Sequence, residues 1–380
     1  MSMKAISKAL LTGAALAGFS LGQANAQSDA ANILKAGVAD ANLLMNAYMK
    51  PFGEAFGVAL NNNWYNTGKP LKLARFYVSI VPTLVQVPDS RLTYDVASLG
   101  LSNALEQSNP SVTSGSTIFG SGTDEQPMFE MYADNPIAGQ PRVKIADLTM
   151  PGGLGINMMP LPMAQVSIGL IKGTDVTVRY LPQLAIPGGS VTGKVGLFGI
   201  GVKHDLKQWI PGMGLLPFDL SGYFNYSVFN FSLGLDLPVP SGSGPTGLGY
   251  KYDGFDPANM QAQELQMKAR GMGFGLIISK KLPVITPYGS VGFANSNFSL
   301  KTAGDYAIES GVVGPGDPDA GKVLVTKFTD PIEITADAKN ALRAGVGVRI
   351  KLLILTIHGE YFIQGAYRGI NAGVGIGIGN

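Results

Sequence analysis

The chain has no cysteine, and only two histidines and two tryptophans among 380 residues. Without cysteine there is no disulfide framework, no thiolate nucleophile and no zinc–thiolate site. Asp, Glu, Lys and Arg together supply 14% of the residues, well under the roughly 25% of an average soluble domain. The formal net charge is +2, so the chain lacks the basic footprint that nucleic acid requires. Beyond the N-terminus no segment offers the roughly 18 uninterrupted apolar residues of a membrane-spanning helix. There is no Gly-rich phosphate loop either. Gly345-x-Gly347 and the glycines from Gly373 to Gly379 alternate with valine and isoleucine, which marks close-packing positions along strands.

What is present is glycine, 51 residues, about twice the usual share, and a two-residue period. From Leu342 to Leu352 the even positions are Leu342, Ala344, Val346, Val348, Ile350 and Leu352, and the odd ones are Arg343, Gly345, Gly347, Arg349 and Lys351. Side chains alternate faces along a strand, so one face here is apolar and the other is charged or small. A soluble sandwich and a membrane barrel both satisfy that pattern. Low charge, high glycine and the absence of a spanning helix favour the barrel, because only helices and closed barrels satisfy every backbone group in lipid.

The N-terminus has the form of a secretory signal. Lys4 and Lys8 precede an apolar stretch from Ala9 to Leu21, and Ala24-Asn25-Ala26 is an A-x-A-like cleavage site. Residues 1–26 are therefore expected to be removed. Ala31 to Lys50 has helical spacing through Leu34, Val38, Ala41, Met45 and Tyr48, with Pro51 as a stop. Residues 27–51 are expected as a helix that either plugs the lumen or covers the periplasmic end. From Phe56 onward the period is two, and residues 52–380 are expected to form the barrel.

Within that region Pro88-Asp89-Ser90 reads as a tight turn and Tyr94 to Leu99 as a short strand. Residues 100–161, rich in Ser, Gly, Pro and Met, read as a long outer loop or in-folded constriction. Strand signals resume at Met163. Long connections at Leu101–Leu161, Pro238–Asn259 and Lys301–Ala338 fall on one side, and short ones on the other, the habit of outer-membrane barrels. About twelve strands are clear. With a further hairpin inside the long loop the expected number is 14, with 12 as the alternative, in an all-β transmembrane antiparallel barrel.

Alternation assigns Arg75, Asp175, Arg179, Asp219, Tyr223, Asn225, Arg343, Arg349, Lys351, His358, Glu360 and Gln364 to the lumen. Arg343, Arg349 and Lys351 are expected to cluster with Glu360, and with Asp175 or Asp219, since a charge in a narrow lumen needs a partner. His358 and Glu360 share a face, which fits half of an acid–base or metal site, or a lumen charge network. Met158, Met159 and Met163 among Pro160 and Pro162 suit an apolar ligand path or a loop packed over the mouth.

Several segments resemble a known group. They are Pro51-Phe52-Gly53 through Asn63-Trp64-Tyr65-Asn66-Thr67, Tyr94-Asp95-Val96-Ala97-Ser98-Leu99-Gly100-Leu101, Pro162-Met163-Ala164-Gln165, and Gly201-Val202-Lys203-His204-Asp205-Leu206-Lys207-Gln208-Trp209-Ile210-Pro211-Gly212. Together they are similar to an uncharacterised outer-membrane barrel family of the Bacteroidota, with a plan similar to the FadL-type transporters. The FadL group's N-terminal Asn-Pro-Ala motif is missing, and the chain ends in Gly379-Asn380 without a terminal aromatic. The resemblance implies the cell outer membrane and a barrel, and no activity. The expected function is a porin-like channel or transporter for a small, apolar solute. The alternatives are a structural or assembly partner in an outer-membrane complex, and an outer-membrane enzyme. Expected contacts are outer-membrane lipid, a small solute and an outer-membrane protein, with no cofactor and no catalytic residue.

Overall fold

The computed structural model describes residues 37–135, 137–188 and 191–377. The signal segment, the start of the expected helix from Ala31 and residues 378–380 lie outside the described residues. In chain order the first elements are α1 (Val38–Asn61), β1 (Phe76–Ile80), β2 (Thr83–Gln86), β3 (Thr93–Asp95), β4 (Leu105–Gln107), β5 (Ser114–Ser116) and β6 (Met128–Ala133). Next come β7 (Val143–Thr149), β8 (Met158–Leu161), β9 (Ala164–Gly169), β10 (Thr174–Gly188), β11 (Val191–Asp205), β12 (Asp219–Leu235) and β13 (Tyr250–Tyr252). The last are β14 (Gln263–Ser279), β15 (Ile285–Ala303), β16 (Asp305–Val312), β17 (Val323–Thr329), β18 (Glu333–Leu352), β19 (Leu355–Gln364) and β20 (Tyr367–Gly377).

An antiparallel barrel closes through ten strands in the order β1, β9, β10, β11, β12, β14, β15, β18, β19, β20, with β20 returning to β1. Two more strands, β2 and β8, belong to the same sheet. Their register explains them. Ile80 faces Val374 and Thr83 faces Asn371, so β2 continues β1 along β20 without a slip. Likewise Ile80 faces Ala164 and Thr83 faces Leu161, so β8 and β9 are one interrupted stave. Pro82 and Pro162 stand at the interruptions. Proline cannot donate to a ladder and breaks regular pairing where it sits.

The expected 14 or 12 strands thus become ten staves. The residues of the missing strands fold elsewhere. Asp89–Arg91 is a turn of 3₁₀ helix, and β3 pairs with β5 outside the barrel. A hairpin does exist inside the long insertion, β6 with β7, but it forms a separate sheet with β4. The insertion runs over 87–157, because Met158–Leu161 is already barrel wall. A further sheet, β13-β17-β16, is built from the two other long connections, 236–262 and 304–332. All three long connections lie at one end, and the turns at 170–173, 206–218, 280–284 and 353–354 at the other.

The alternation sorts the wall into two faces. Phe76, Val78, Ile80, Phe198, Ile200, Phe274, Leu276, Val291, Phe293, Leu342, Val346, Val348, Ile357, Tyr361, Ile370 and Val374 are all exposed on the outside. Val346 is 66% exposed. Such a continuous apolar belt is the surface a bilayer covers. The inner-facing residues of the same strands are buried, yet many are polar: Ser79, Ser167, Thr177, Ser221, Asn225, Thr356 and Asn371 among them. No helix among the described residues is long and apolar enough to cross a membrane.

Helix α1 is longer than its spacing predicts. Pro51 lies inside it, not after it, and the helix runs on to Asn61, through the stretch read as the start of two-residue alternation. An interior proline costs about 3 kcal/mol. Burial of Phe52, Phe56, Val58 and Leu60 past that point offsets it, since each such side chain contributes roughly 1.5–3 kcal/mol. The helix starts among the long connections, where Asn42 Nδ2 donates to the Pro331 carbonyl at 2.9 Å and its Oδ1 accepts from Glu333 N at 2.9 Å. It then descends into the mouth against β14, β15 and β18, opposite the end with the short turns. The rings of Phe52 and Phe56 lie 5.9 and 6.5 Å from Phe298 on the inner wall, and Phe56 lies 4.9 Å from Phe229.

Candidate functional site: a stoppered lumen

Below α1 the chain does not leave the barrel. Past Asn61, the last residue of α1, residues 62–71 descend through the lumen as an irregular, repeatedly bent segment and emerge at the short-turn end ahead of β1. Asn61, Asn62, Asn63, Trp64, Asn66 and Thr67 are all buried. A buried polar group must be hydrogen-bonded or it costs free energy. The wall supplies partners at each level of the descent.

At the top, the fully buried Arg179 caps the helix. Its Nη2 and Nη1 donate to the carbonyls of Asn62 (2.9 Å) and Leu60 (3.3 Å), and its Nε to Gln165 Oε1 (3.0 Å). Its guanidinium stacks 3.8 Å from the Trp64 ring centre. A cation at a helix C-terminus offsets the negative end of the helix dipole, and the ring adds a cation–π contact. Trp64 fits because the wall facing it is bare: a Cβ on Gly201 would stand 2.8 Å from Trp64 Cε3.

One level down, Asn62 Nδ2 donates to Gln364 Oε1 (2.8 Å) and its Oδ1 accepts from Arg343 Nε (2.7 Å). Arg343 Nη2 meets Glu360 Oε1 at 2.7 Å, and its Nη1 donates to Ser290 Oγ at 2.6 Å. Glu360 Oε2 also accepts from Asn371 Nδ2 at 2.9 Å. The strand register puts Arg343 opposite Gln364 and Gly347 opposite Glu360. The ion pair is therefore diagonal, and the Glu360 carboxylate lies over Gly345, where a Cβ would collide with it.

The third level repairs the wall itself. Pro82 accepts from Ala372 N at 3.0 Å but has no N–H to return, so the Ala372 carbonyl loses its ladder donor. The side chain of Asn63 supplies one. Its Nδ2 donates to Ala372 O at 2.8 Å and to Pro82 O at 2.9 Å. To aim this amide Asn63 takes φ 62°, a left-handed conformation that asparagine tolerates better than most residues. Asn63 Oδ1 accepts from His358 Nε2 at 2.8 Å, and His358 Nδ1 accepts from Asn66 Nδ2 at 3.2 Å. Those partners assign His358 as neutral, with its proton on Nε2.

At the lowest level Lys203 Nζ pairs with Asp175 Oδ2 (3.2 Å) and donates to the Thr67 carbonyl (3.1 Å). Asp175 Oδ2 accepts from Leu71 N at 2.9 Å. Gly68 N donates to Ser279 Oγ at 2.9 Å.

Of the lumen residues read from alternation, Asp175, Arg179, Asn225, Arg343, Arg349, His358, Glu360 and Gln364 are buried inside, and Asp219, Tyr223 and Lys351 are half-buried on the same face. Arg75 is the exception. It has the right parity but precedes β1 and is exposed. Arg343 does pair with Glu360, while Asp175 takes Lys203, which the alternation argument passed over. Asn62, Asn63, Asn66 and Thr67 were also missed as site residues. Their signal was a polar run with no turn chemistry, Asn61-Asn62-Asn63-Trp64-Tyr65-Asn66-Thr67, directly after an apolar helix. Met159 and Met163 are buried on the inner face, Met163 Sδ lying 3.2 Å from Arg179 Nη1, and Met158 is exposed. His358 has both ring nitrogens engaged, and no group of metal-ligating side chains occurs among the described residues.

Residues 3–378 match a family of unknown function (DUF6588). The chain belongs to that family. No protein of curated function matches it. Among solved structures it is similar to the translocator domain of the autotransporter NalP from Neisseria meningitidis, at 11% identity over 86% of this chain and 92% of that one, TM-score 0.26. It is also similar to the outer membrane transporter YddB from Escherichia coli, at 8% identity over 77% of this chain but 39% of that one, TM-score 0.30. A third similarity is to a Pseudomonas aeruginosa FadL homologue, at 9% identity over 88% and 97% of the two chains, TM-score 0.21.

Proposed function

We propose that this chain is an outer-membrane β-barrel of a bacterium of the Bacteroidota, exported by its N-terminal signal, and that it passes a small apolar solute through its wall and not along an open pore. The apolar belt supports the bilayer, and the arrangement of long and short connections supports the outer membrane. The stopper argues against a standing aqueous channel, because residues 61–71 fill the axis and are bonded to the wall at every level. The observation that carries the route is a fork between β9 and β10. Their pairing ends at Val178 opposite Val166. Beyond that point, among the described residues, β8 pairs with β2 and β10 with β11, the latter pairing slipping register between Leu181 and Leu184. Prolines flank the fork on both sides, Pro162 and Pro182. Met159, Met163 and Leu161 line its inner edge, and Met adapts to irregular apolar guests.

The absence of cysteine makes the test clean. A Leu161→Cys/Leu181→Cys pair, bridged by a bifunctional thiol reagent, should slow uptake of an apolar fluorescent probe into proteoliposomes, and cleavage of the bridge should restore it. Unbridged protein should show no steady ion conductance in planar bilayers. Equal probe uptake with and without protein would sink the transport reading. A second reading, a structural or assembly partner of another outer-membrane protein, is favoured by the filled lumen, and co-purification of a stoichiometric partner together with absent uptake would select it.

A further inference from the structure

At the short-turn end, beside the lower part of the stopper, the barrel holds a cavity of about 280 Å³. Its lining includes Arg349, Lys351, Lys281 and Lys69, against the single carboxylate of Asp219. The first residue of β12, the turn leading into β15, the end of β18 and the emerging stopper converge to make it. Arg349 is the decisive residue. It is 94% buried by its 6% residual exposure, yet its Nε has no hydrogen-bond partner, and no carboxylate pairs with it among the described residues. Its neighbour on the lumen side is the Tyr77 ring, 5.6 Å away. The other buried cations of the lumen are all compensated: Arg343 by Glu360, Lys203 by Asp175, and Arg179 by two carbonyls and Trp64. A buried guanidinium without an acceptor is expensive unless a ligand completes it.

We propose that this cavity is a binding site for a phosphate group. Arg349 provides the planar donor fork that matches phosphate oxygens. Lys351, Lys281 and Lys69 provide further positive charge around it, and Thr286 a hydroxyl donor. The excess of cations over the one carboxylate suits a doubly or singly charged oxyanion and rejects a cation. The rim is apolar on one side, with Leu282, Val284 and Leu353, and Leu353 is 92% exposed at the tip of the β18–β19 turn. A free phosphate and the headgroup of an anionic lipid share the same recognition chemistry, and the apolar rim adds a surface that only the lipid uses. The site is independent of any solute route through the β9–β10 fork.

The test uses the full chain, refolded in detergent and checked for its heat-modifiable band. Inorganic phosphate is titrated calorimetrically into the wild type, Arg349→Gln and Lys281→Gln. Native mass spectrometry after incubation with phosphatidylglycerol or phosphatidylcholine provides the lipid arm. Saturable phosphate binding, weakened at least tenfold by Arg349→Gln and less by Lys281→Gln, establishes a free-phosphate site. Retention of phosphatidylglycerol over phosphatidylcholine, lost in both variants while free phosphate gives no heat, establishes a lipid headgroup site. Lys281 sits in a surface turn, so its variant reads the site even if Arg349→Gln folds poorly. No phosphate heat and no lipid preference in the wild type, or binding indifferent to both substitutions, overturns the proposal.

Discussion

The two halves of the lumen solve the same problem by opposite chemistry. Near the long connections the axis is filled by α1, and its contacts are mainly apolar, Phe52, Phe56 and Leu60 clustering with Phe298, Met267, Ala269, Ile334 and Ala336, while the buried Glu54 accepts from Tyr367 Oη at 2.6 Å. Toward the short turns the axis is filled by irregular chain, and the contacts are hydrogen bonds from Asn62, Asn63, Asn66 and Thr67 to a wall that carries its own ion pairs. A helix satisfies its own backbone and needs only a surface to bury. A segment outside helix and sheet carries unsatisfied N–H and C=O groups and must find polar partners on the wall. The polar wall around the stopper is thus required by its conformation, and the apolar wall around α1 is permitted by that of the helix.

The largest effects should come from the cores of the two halves, and their rescue should differ. Arg343→Met leaves Glu360 buried without its cation and should destabilise by about 3–5 kcal/mol. Adding Glu360→Gln should recover much of that loss in urea unfolding followed by gel mobility. Phe298→Ala should cost a similar amount, about 3–5 kcal/mol, with no polar substitution able to restore it. Equal rescue, or none in either half, would erase the distinction.

Next in size is the contrast between inside and outside on one strand. Val346→Arg places a charge on the belt and should cost about 2–4 kcal/mol in a bilayer. The adjoining Gly347 is a poor inner control, because a Cβ there would meet Tyr288 Cζ at 2.5 Å. Ser290 is no better an inner control, because its hydroxyl accepts from Arg343 Nη1 at 2.6 Å, so the informative reading is Val346 in lipid against Val346 in detergent, where the penalty should shrink.

Asn63→Gly keeps the left-handed backbone but removes the amide that bridges Pro82 and Ala372. It should cost about 1–3 kcal/mol, and hydrogen exchange at β2 and the facing part of β20 should rise before that of β18. Uniform exchange across the barrel would show that Asn63 does not stitch the wall.

The smallest effect lies outside the barrel, in the sheet formed by the long connections. Asp305 accepts from Thr329 Oγ1 at 2.6 Å and from Gln261 N at 3.1 Å. The Thr329 hydroxyl, then the Gln261 amide, and then the positive charge of Lys327 hold its carboxyl below the usual range. Its stabilisation is therefore complete above the ordinary carboxylate range and fades as pH falls through the lowered value. Acid titration should loosen β16 and β17 by NMR while the lumen network keeps its shifts.

Much of this molecule was legible in the sequence because alternation is local. Residue parity alone placed Arg343, Arg349, Glu360 and Gln364 inside and Val346, Val348 and Ile357 outside, and it did so without knowing which strands are neighbours. Parity failed at Arg75, where the strand had not yet begun. Strand number failed because two staves are each interrupted by a proline, and because short alternating tracts between 87 and 157 pair among themselves. What only the tertiary structure decided is the content of the lumen. Asn63 meets Ala372, Asn62 meets Arg343 and Thr67 meets Lys203, partners far apart in the chain that become neighbours only after the barrel closes and its register is set. Composition and period fix the two faces of each strand, since those depend on a side chain's own backbone. They do not fix which distant polar group completes a buried asparagine or leaves Arg349 without an acceptor, since that depends on closure.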